Sequence, residues 1–294
     1  MYNKHDYGYK KFFSNPKALE YLLKSFVDEQ WVHDIDYSKI IQLDKSFFGK
    51  GFIKRESDLI FRVPCNNKDF YLFIIMEFQS TVDRFMSLRF LRYLCEFYEH
   101  LIQTTKTKCL PSVFPILLYN GNRKWTAPDD IKDLIEQRIS SKYIPSFSYY
   151  KIAENEYTKE FLLKIENIVS ALFYLENSNP ESIQNDIDKI INLLKNEKPS
   201  ELQLISEWIT YIFNDESGEI NEKIQSLVEV KAMFVEKLER YGNKIHKRSV
   251  KEGIEQGIKQ VALSMYDKGY SVREIIELTS ISEENLQKIL NQHN

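Results

Sequence analysis

Glycine and cysteine are scarce in this chain, and long apolar runs are missing. With 9 Gly and 8 Pro in 294 residues, few positions suit tight left-handed turns. The three cysteines, Cys65, Cys95 and Cys109, have no metal-ligand spacing and cannot all pair within one chain, which fits a reducing cytoplasm. No segment approaches the roughly 18 apolar residues of a bilayer span. Residues 1–11 are polar and aromatic rather than a basic start followed by an apolar stretch, so a cytoplasmic chain with no membrane partner is expected. A basic surplus is absent too. With 40 Lys and Arg against 43 Asp and Glu, the formal charge is -3, which excludes a global attraction for a polyanion and leaves only local basic patches.

Aromatic residues are plentiful, with 18 Tyr and 19 Phe, and the length suffices for one α/β domain plus a helical appendage. Two strand-like runs carry the most chemistry. The first, Ser57–Val63, has Asp58 near its start; the second, Phe70–Ser80, contains Glu77 and Gln79. The intervening Pro64–Asp69, with Pro, two Asn and Asp, has turn composition and predicts an antiparallel pair. Period-two geometry puts Glu77 and Gln79 on one face, and the short connection brings Asp58 beside them. Two carboxylates and an amide converging at a sheet edge form an oxygen-rich cradle for a hard divalent metal, the chemistry of phosphodiester hydrolysis. For Asp58 alone, a solvated strand end is the ordinary alternative. Glu77 follows seven apolar residues, Phe70–Met76, and a carboxylate there must open into a cleft or pair with a cation.

Upstream, Asn15-Pro16 opens a helix whose stripe is Leu19, Leu22, Leu23 and Phe26. Glu20 lies off that stripe, either as a supporting acid for the metal site or as a solvent-facing charge. A further helix is predicted over residues 83–103, with a stripe of Leu88, Leu91, Leu94, Tyr98 and Leu101 broadened by Phe90, Tyr93 and Phe97. Arg89 and Tyr93, four apart, can present together near the strand ends, and helix packing is the equal alternative for both. Next comes Pro111–Tyr119, a strand interrupted by Pro115, which predicts an edge position or a bulge. Residues 83–125 hold seven basic side chains (Arg84, Arg89, Arg92, Lys106, Lys108, Arg123 and Lys124) against three acids, a local charge of +4. They are the candidate nucleic-acid contacts, with a solvated mixed surface as the alternative.

Beyond Pro145 the pattern is helical, with amphipathic segments over 159–176, 181–196 and 201–213. The predicted organisation is a core over 1–150, a helical region over 151–245 that packs on or extends it, and a helical tail over 246–294. In the tail, the repeat Gly253-Ile-Glu-Gln-Gly-Ile258 places two glycines near one helix face and makes homo-oligomerisation through C-terminal helices an expectation. Ser271-Val-Arg-Glu274 is a capping signal. The shape invites comparison with helix-turn-helix modules, yet Glu283–Leu290 is acidic at its start and has only Lys288 as a base, which argues against base reading.

Taken in order, His5-Asp6, Lys11-Phe12-Phe13, Ser57-Asp58, Glu77-Phe78-Gln79-Ser80, Asp83, Met86, Arg89–Tyr93 and Pro115–Gly121 with Trp125 resemble the Rpn family of recombination-promoting nucleases and transposases. That family lies within the PD-(D/E)XK superfamily. The resemblance covers about residues 5–130 and returns weakly in the tail. It implies a restriction-endonuclease-like α/β fold, a mixed central sheet flanked by helices, with a helical C-terminal region. It also implies a magnesium-dependent DNA endonuclease, with manganese as a substitute. The metal acids fall on Asp58 and Glu77. Gln79 takes the position where the superfamily often has Lys, and being neither cation nor base it can only orient water or phosphate. Phe78 replaces a common His. The competing expectation is a non-catalytic nucleic-acid-binding or defence-associated protein that retains the nuclease fold.

Overall fold

The computed structural model describes residues 4–43, 59–65, 68–77, 82–136, 138–213 and 224–293. Helix α1 (Lys4–Phe13) is followed by α2 (Pro16–Phe26). Asn15 caps α2 as its composition predicts, accepting from the amides of Lys17 and Ala18 at 2.8 and 3.4 Å. A single sheet follows, made of β1 (Ile41–Gln42), β2 (Leu59–Cys65), β3 (Lys68–Glu77), β4 (Val113–Tyr119) and β5 (Tyr150–Ala153), in that spatial order. The first three strands are antiparallel neighbours, while β3, β4 and β5 run parallel. The sheet is therefore mixed and, with helices around it, matches the expected fold class. The parallel step from β3 to β4 is made by α3 (Met86–Thr105), as a crossover connection requires.

Alternation along the strands explains how the sheet is covered. Ile60, Phe73 and Leu117 form one core with Phe90, Phe97 and Leu101 of α3. The intervening residues Leu72, Ile74, Ile116, Leu118 and Ile152 are equally buried, so both faces are covered. Helix α1 packs against β3 and against α7 (Pro199–Phe213), and α2 against α5 (Ile168–Glu176).

Three expectations need correction. In α3 the buried stripe is Met86, Phe90, Tyr93, Phe97 and Leu101, while Leu88 is half exposed. Two stripes of helical period interleave in that sequence, and the aromatic one wins because Phe97 meets Tyr71 and Phe73 edge-on, at centroid distances of 4.7 and 5.1 Å. Pro115 lies in a central strand, neither at an edge nor bulged. The Ser112 carbonyl accepts from Tyr71 of β3, so by alternation Pro115 faces the other side, and the ladder to β5 starts one residue later, at Ile116. Its missing N–H therefore removes no ladder bond. Finally, residues 159–176 form two helices, α4 (Lys159–Leu162) and α5, separated where Glu166 turns to φ 53° and Asn167 caps α5.

The chain divides into two compact units, residues 1–235 and 236–294. The first contains α6 (Pro180–Leu193), α7 and the beginning of α8 (Leu227–Asp267). In the second, the rest of α8 joins α9 (Val272–Thr279) and α10 (Glu283–His293) around Ala262, Ile275, Leu286 and Leu290. Ser271 and Glu274 close the predicted capping box on α9. Gly253 and Gly257 are exposed on α8, with no atom within 4 Å of where a Cβ would stand. No described helix is long and apolar enough to cross a membrane.

Candidate functional site at the carboxyl edge of the sheet

The parallel register brings the carboxyl ends of three strands level: Glu77 of β3 stands opposite Tyr119 of β4, and Tyr119 opposite Ala153 of β5. In open α/β sheets this edge is where ligands bind. Glu77 is the last residue of β3, the central strand. Leu59, the residue after Asp58, pairs with Ile74, three residues before Glu77. Asp58 and Gln79 lie outside the described residues, as do Phe78 and Ser80. Among the described residues, no group of three or more His, Cys, Asp or Glu is close enough to hold a metal ion.

The turn after β4 is built to stay narrow. Tyr119 folds its ring back so that its hydroxyl oxygen would lie 2.1 Å from a Cβ at Gly121, and only glycine fits beneath it. Trp125 closes on the Tyr119 ring at 4.8 Å, and Asn155 Nδ2 donates to the carbonyls of Gly121 and Arg123 at 2.6 and 2.9 Å. The Trp125 indole N–H donates to the Tyr149 hydroxyl at 2.8 Å. The Asn120-Gly121 and Trp125 signals of the sequence are therefore scaffolding for this edge.

A buried polar network missed by sequence reasoning lies at the same edge. Glu154, immediately after β5, is only 1% exposed. Its Oε2 accepts from the Tyr9 hydroxyl of α1 at 2.7 Å, and that hydroxyl accepts from Asn120 Nδ2 at 2.8 Å. Burial, reinforced by nearby Glu176, pushes the Glu154 carboxyl well above its ordinary range and so favours its neutral form. Burial next to that carboxyl raises the Tyr9 phenol as well. An acid followed by Asn in an ordinary loop gives no sequence signal of such burial.

The remaining predicted residues separate. Arg89, in the first turns of α3, has a side chain 12% exposed, with Nη1 4.0 Å from Asp83 Oδ2. Tyr93 is a core residue. Glu20 is held by Lys17 and Lys24 at 3.0 and 2.7 Å; burial works against its ionised form, but these two lysines prevail and lower its pKa. Arg92 is exposed and pairs with Glu96 at 2.9 Å. Arg84, just before α3, and Arg123 and Lys124, just after β4, are exposed and follow the carboxyl ends of their strands. Lys106 and Lys108 are exposed at the far end of α3, which has 20 residues and so spans about 30 Å. The basic cluster of the sequence is thus divided between the two ends of the sheet.

Comparison with known proteins decides the relationship. The family model described as "Putative transposase, YhgA-like" matches residues 3–205. The chain belongs to this family. Among relatives, the recombination-promoting nuclease RpnD of Escherichia coli O157:H7 is 20% identical over 248 residues, covering 82% of this chain and 94% of its own. The inactive recombination-promoting nuclease-like protein RpnE of Escherichia coli K12 is 22% identical over 298 residues, covering 96% of each. No solved structure matches. The YhgA-like match takes in α1, the whole sheet and most of the helices that cover it, and it makes this an Rpn-family protein related to the PD-(D/E)XK nucleases.

Proposed function

We propose that this chain binds DNA at the carboxyl edge of its sheet, as a nucleic-acid-binding member of the YhgA-like family on a nuclease-type fold. The observation that carries this reading is that Arg84, Arg123 and Lys124 are exposed and follow the carboxyl ends of β3 and β4 in the chain. Guanidinium and ammonium groups there suit phosphate oxygens, whose contacts position a duplex without reading its sequence. A chain of charge -3 attracts a polyanion through local patches rather than through its overall charge. That RpnE, named inactive, matches over 96% of both chains agrees with a role that does not require cutting.

Hydrolysis is the second reading, favoured by the acid that ends β3 and by the similarity to RpnD, named a nuclease. Hard carboxylate oxygens of Asp58 and Glu77 are the donor set that Mg²⁺ or Mn²⁺ prefers, and these two residues would hold it. The ion would supply charge to a bound phosphate and lower the pKa of water. Gln79 would orient phosphate or water, and Arg89 would add charge from the start of α3.

The experiment is DNA binding and cleavage by the purified chain in EDTA, Mg²⁺ and Mn²⁺, with Asp58→Ala and Glu77→Ala alongside. Salt-sensitive binding in EDTA supports the first reading. Metal-dependent nicking lost in both folded variants adds the second. Absence of binding in every condition refutes both.

A further inference from the structure

Tyr9 and Glu154 are 145 residues apart in sequence and 2.7 Å apart in space. Nothing in the proposed DNA contacts or metal set uses them, yet they lie at the same edge. Tyr9 is fully buried and joins three elements: it donates to Glu154 after β5, accepts from Asn120 after β4, and meets the Trp208 ring of α7 edge-on at 6.4 Å. Asn177, at the end of α5, donates to the Glu154 backbone carbonyl at 2.6 Å and fixes the same turn from the other side. Glu154 Oε1 is buried with no hydrogen-bonding partner among the described residues. An ionised carboxylate in that place would stand unsolvated beside Glu176, whereas a neutral acid keeps the bond from Tyr9 at far lower cost.

The network reaches α1 through the Tyr9 hydroxyl, beside the buried Phe12 and Phe13 and the Lys11–Glu207 pair that also hold the helix. Since α1 packs on β3 and Tyr9 reaches the turn after β4, α1 is tied to the carboxyl edge at the turn that leads to Arg123 and Lys124.

We propose that Glu154 is a positioning residue: acting through Tyr9, it fixes α1 against the turn after β4 that carries Arg123 and Lys124. The proposal rests on the DNA-binding reading of that edge, and its test separates the two. Hydrogen exchange of the α1 amides in the full chain needs no DNA. Glu154→Gln keeps a neutral acceptor for Tyr9 and is expected to retain wild-type protection within about two-fold. Glu154→Ala and Tyr9→Phe are expected to lose at least about ten-fold in α1, with α3 and β4 unchanged; Tyr9→Phe preserves packing and decides the matter if the alanine variant fails to fold. DNA affinity then closes a double-mutant cycle between Tyr9→Phe and Arg123→Ala. Coupling, with the second substitution costing less once the first is present, is the expected result. Unchanged α1 protection in Tyr9→Phe, a Gln variant as exposed as the Ala variant, or strictly additive losses would overturn the proposal. If the wild type binds no DNA while α1 protection behaves as expected, the DNA reading fails and the anchoring of α1 stands.

Discussion

Glu77 ends β3 directly opposite Tyr119 of β4, so the acid and the Asn120-Gly121 turn share one edge of the sheet. The turn keeps its shape because the Tyr119 ring occupies the space a side chain at 121 would need. Gly121→Ala is therefore expected to destabilise the chain by about 1–3 kcal/mol through overpacking. Urea unfolding measures it. A change below about 0.5 kcal/mol would mean that the ring moves aside freely and that the glycine is not required there.

Glu154 gives a pH dependence whose sign is fixed. Its carboxyl has an ordinary value of 4.5 and is raised well above it in the folded chain, by burial first and Glu176 second. Between those two values the folded state holds a proton that the unfolded state has released, so this group's contribution to stability is full below about pH 4.5 and falls as pH rises. Glu154→Gln does not titrate. The stability of the wild type relative to Glu154→Gln is expected to decline with pH above about 4.5, by up to about 1.4 kcal/mol per pH unit. Parallel unfolding curves of the two proteins across pH 4–9 check this, and a constant difference would contradict a neutral buried acid.

Asn167 is the cap that divides 159–176 into two helices. Its side chain accepts from the amides of Val169 and Ser170, both at 3.0 Å, and its Nδ2 donates to Ser25 Oγ of α2 at 3.0 Å. Asn167→Ala is expected to cost about 1–2 kcal/mol, more than Asn179→Ala, whose cap on α6 is exposed and has one bond, to the Ser182 amide at 2.8 Å. Equal losses in denaturant titrations would show that the bond to α2 adds nothing.

These particulars show which features were legible in sequence. Asn15 and Ser271 announced their helices because capping is a local matter of a side-chain oxygen and amides two or three residues on. The β2–β3 pair was legible from a short turn between two strand-like apolar runs. The rotation of α3 was not, because two apolar stripes of the same period compete and only the rings of Tyr71 and Phe73, on another element, select between them. The Asn167 cap was hidden inside a continuous amphipathic pattern. Acids at strand ends could be picked out as chemistry, but the burial of Glu154 depends on Tyr9, 145 residues away in sequence, a contact no local pattern encodes. Charge counting likewise grouped Lys106 and Lys108 with Arg123 and Lys124, although the seven residues of β4 separate them, so one pair precedes that strand and the other follows it.

That separation gives the most direct test. The DNA affinity of Arg123→Ala/Lys124→Ala is to be compared with that of Lys106→Ala/Lys108→Ala, both as full chains in EDTA over a range of salt. The predicted result is a loss of about ten-fold or more and a shallower salt dependence for the first pair, with the second within about two-fold of wild type. Equal losses in both pairs, or a loss confined to Lys106 and Lys108, would contradict binding at the carboxyl edge.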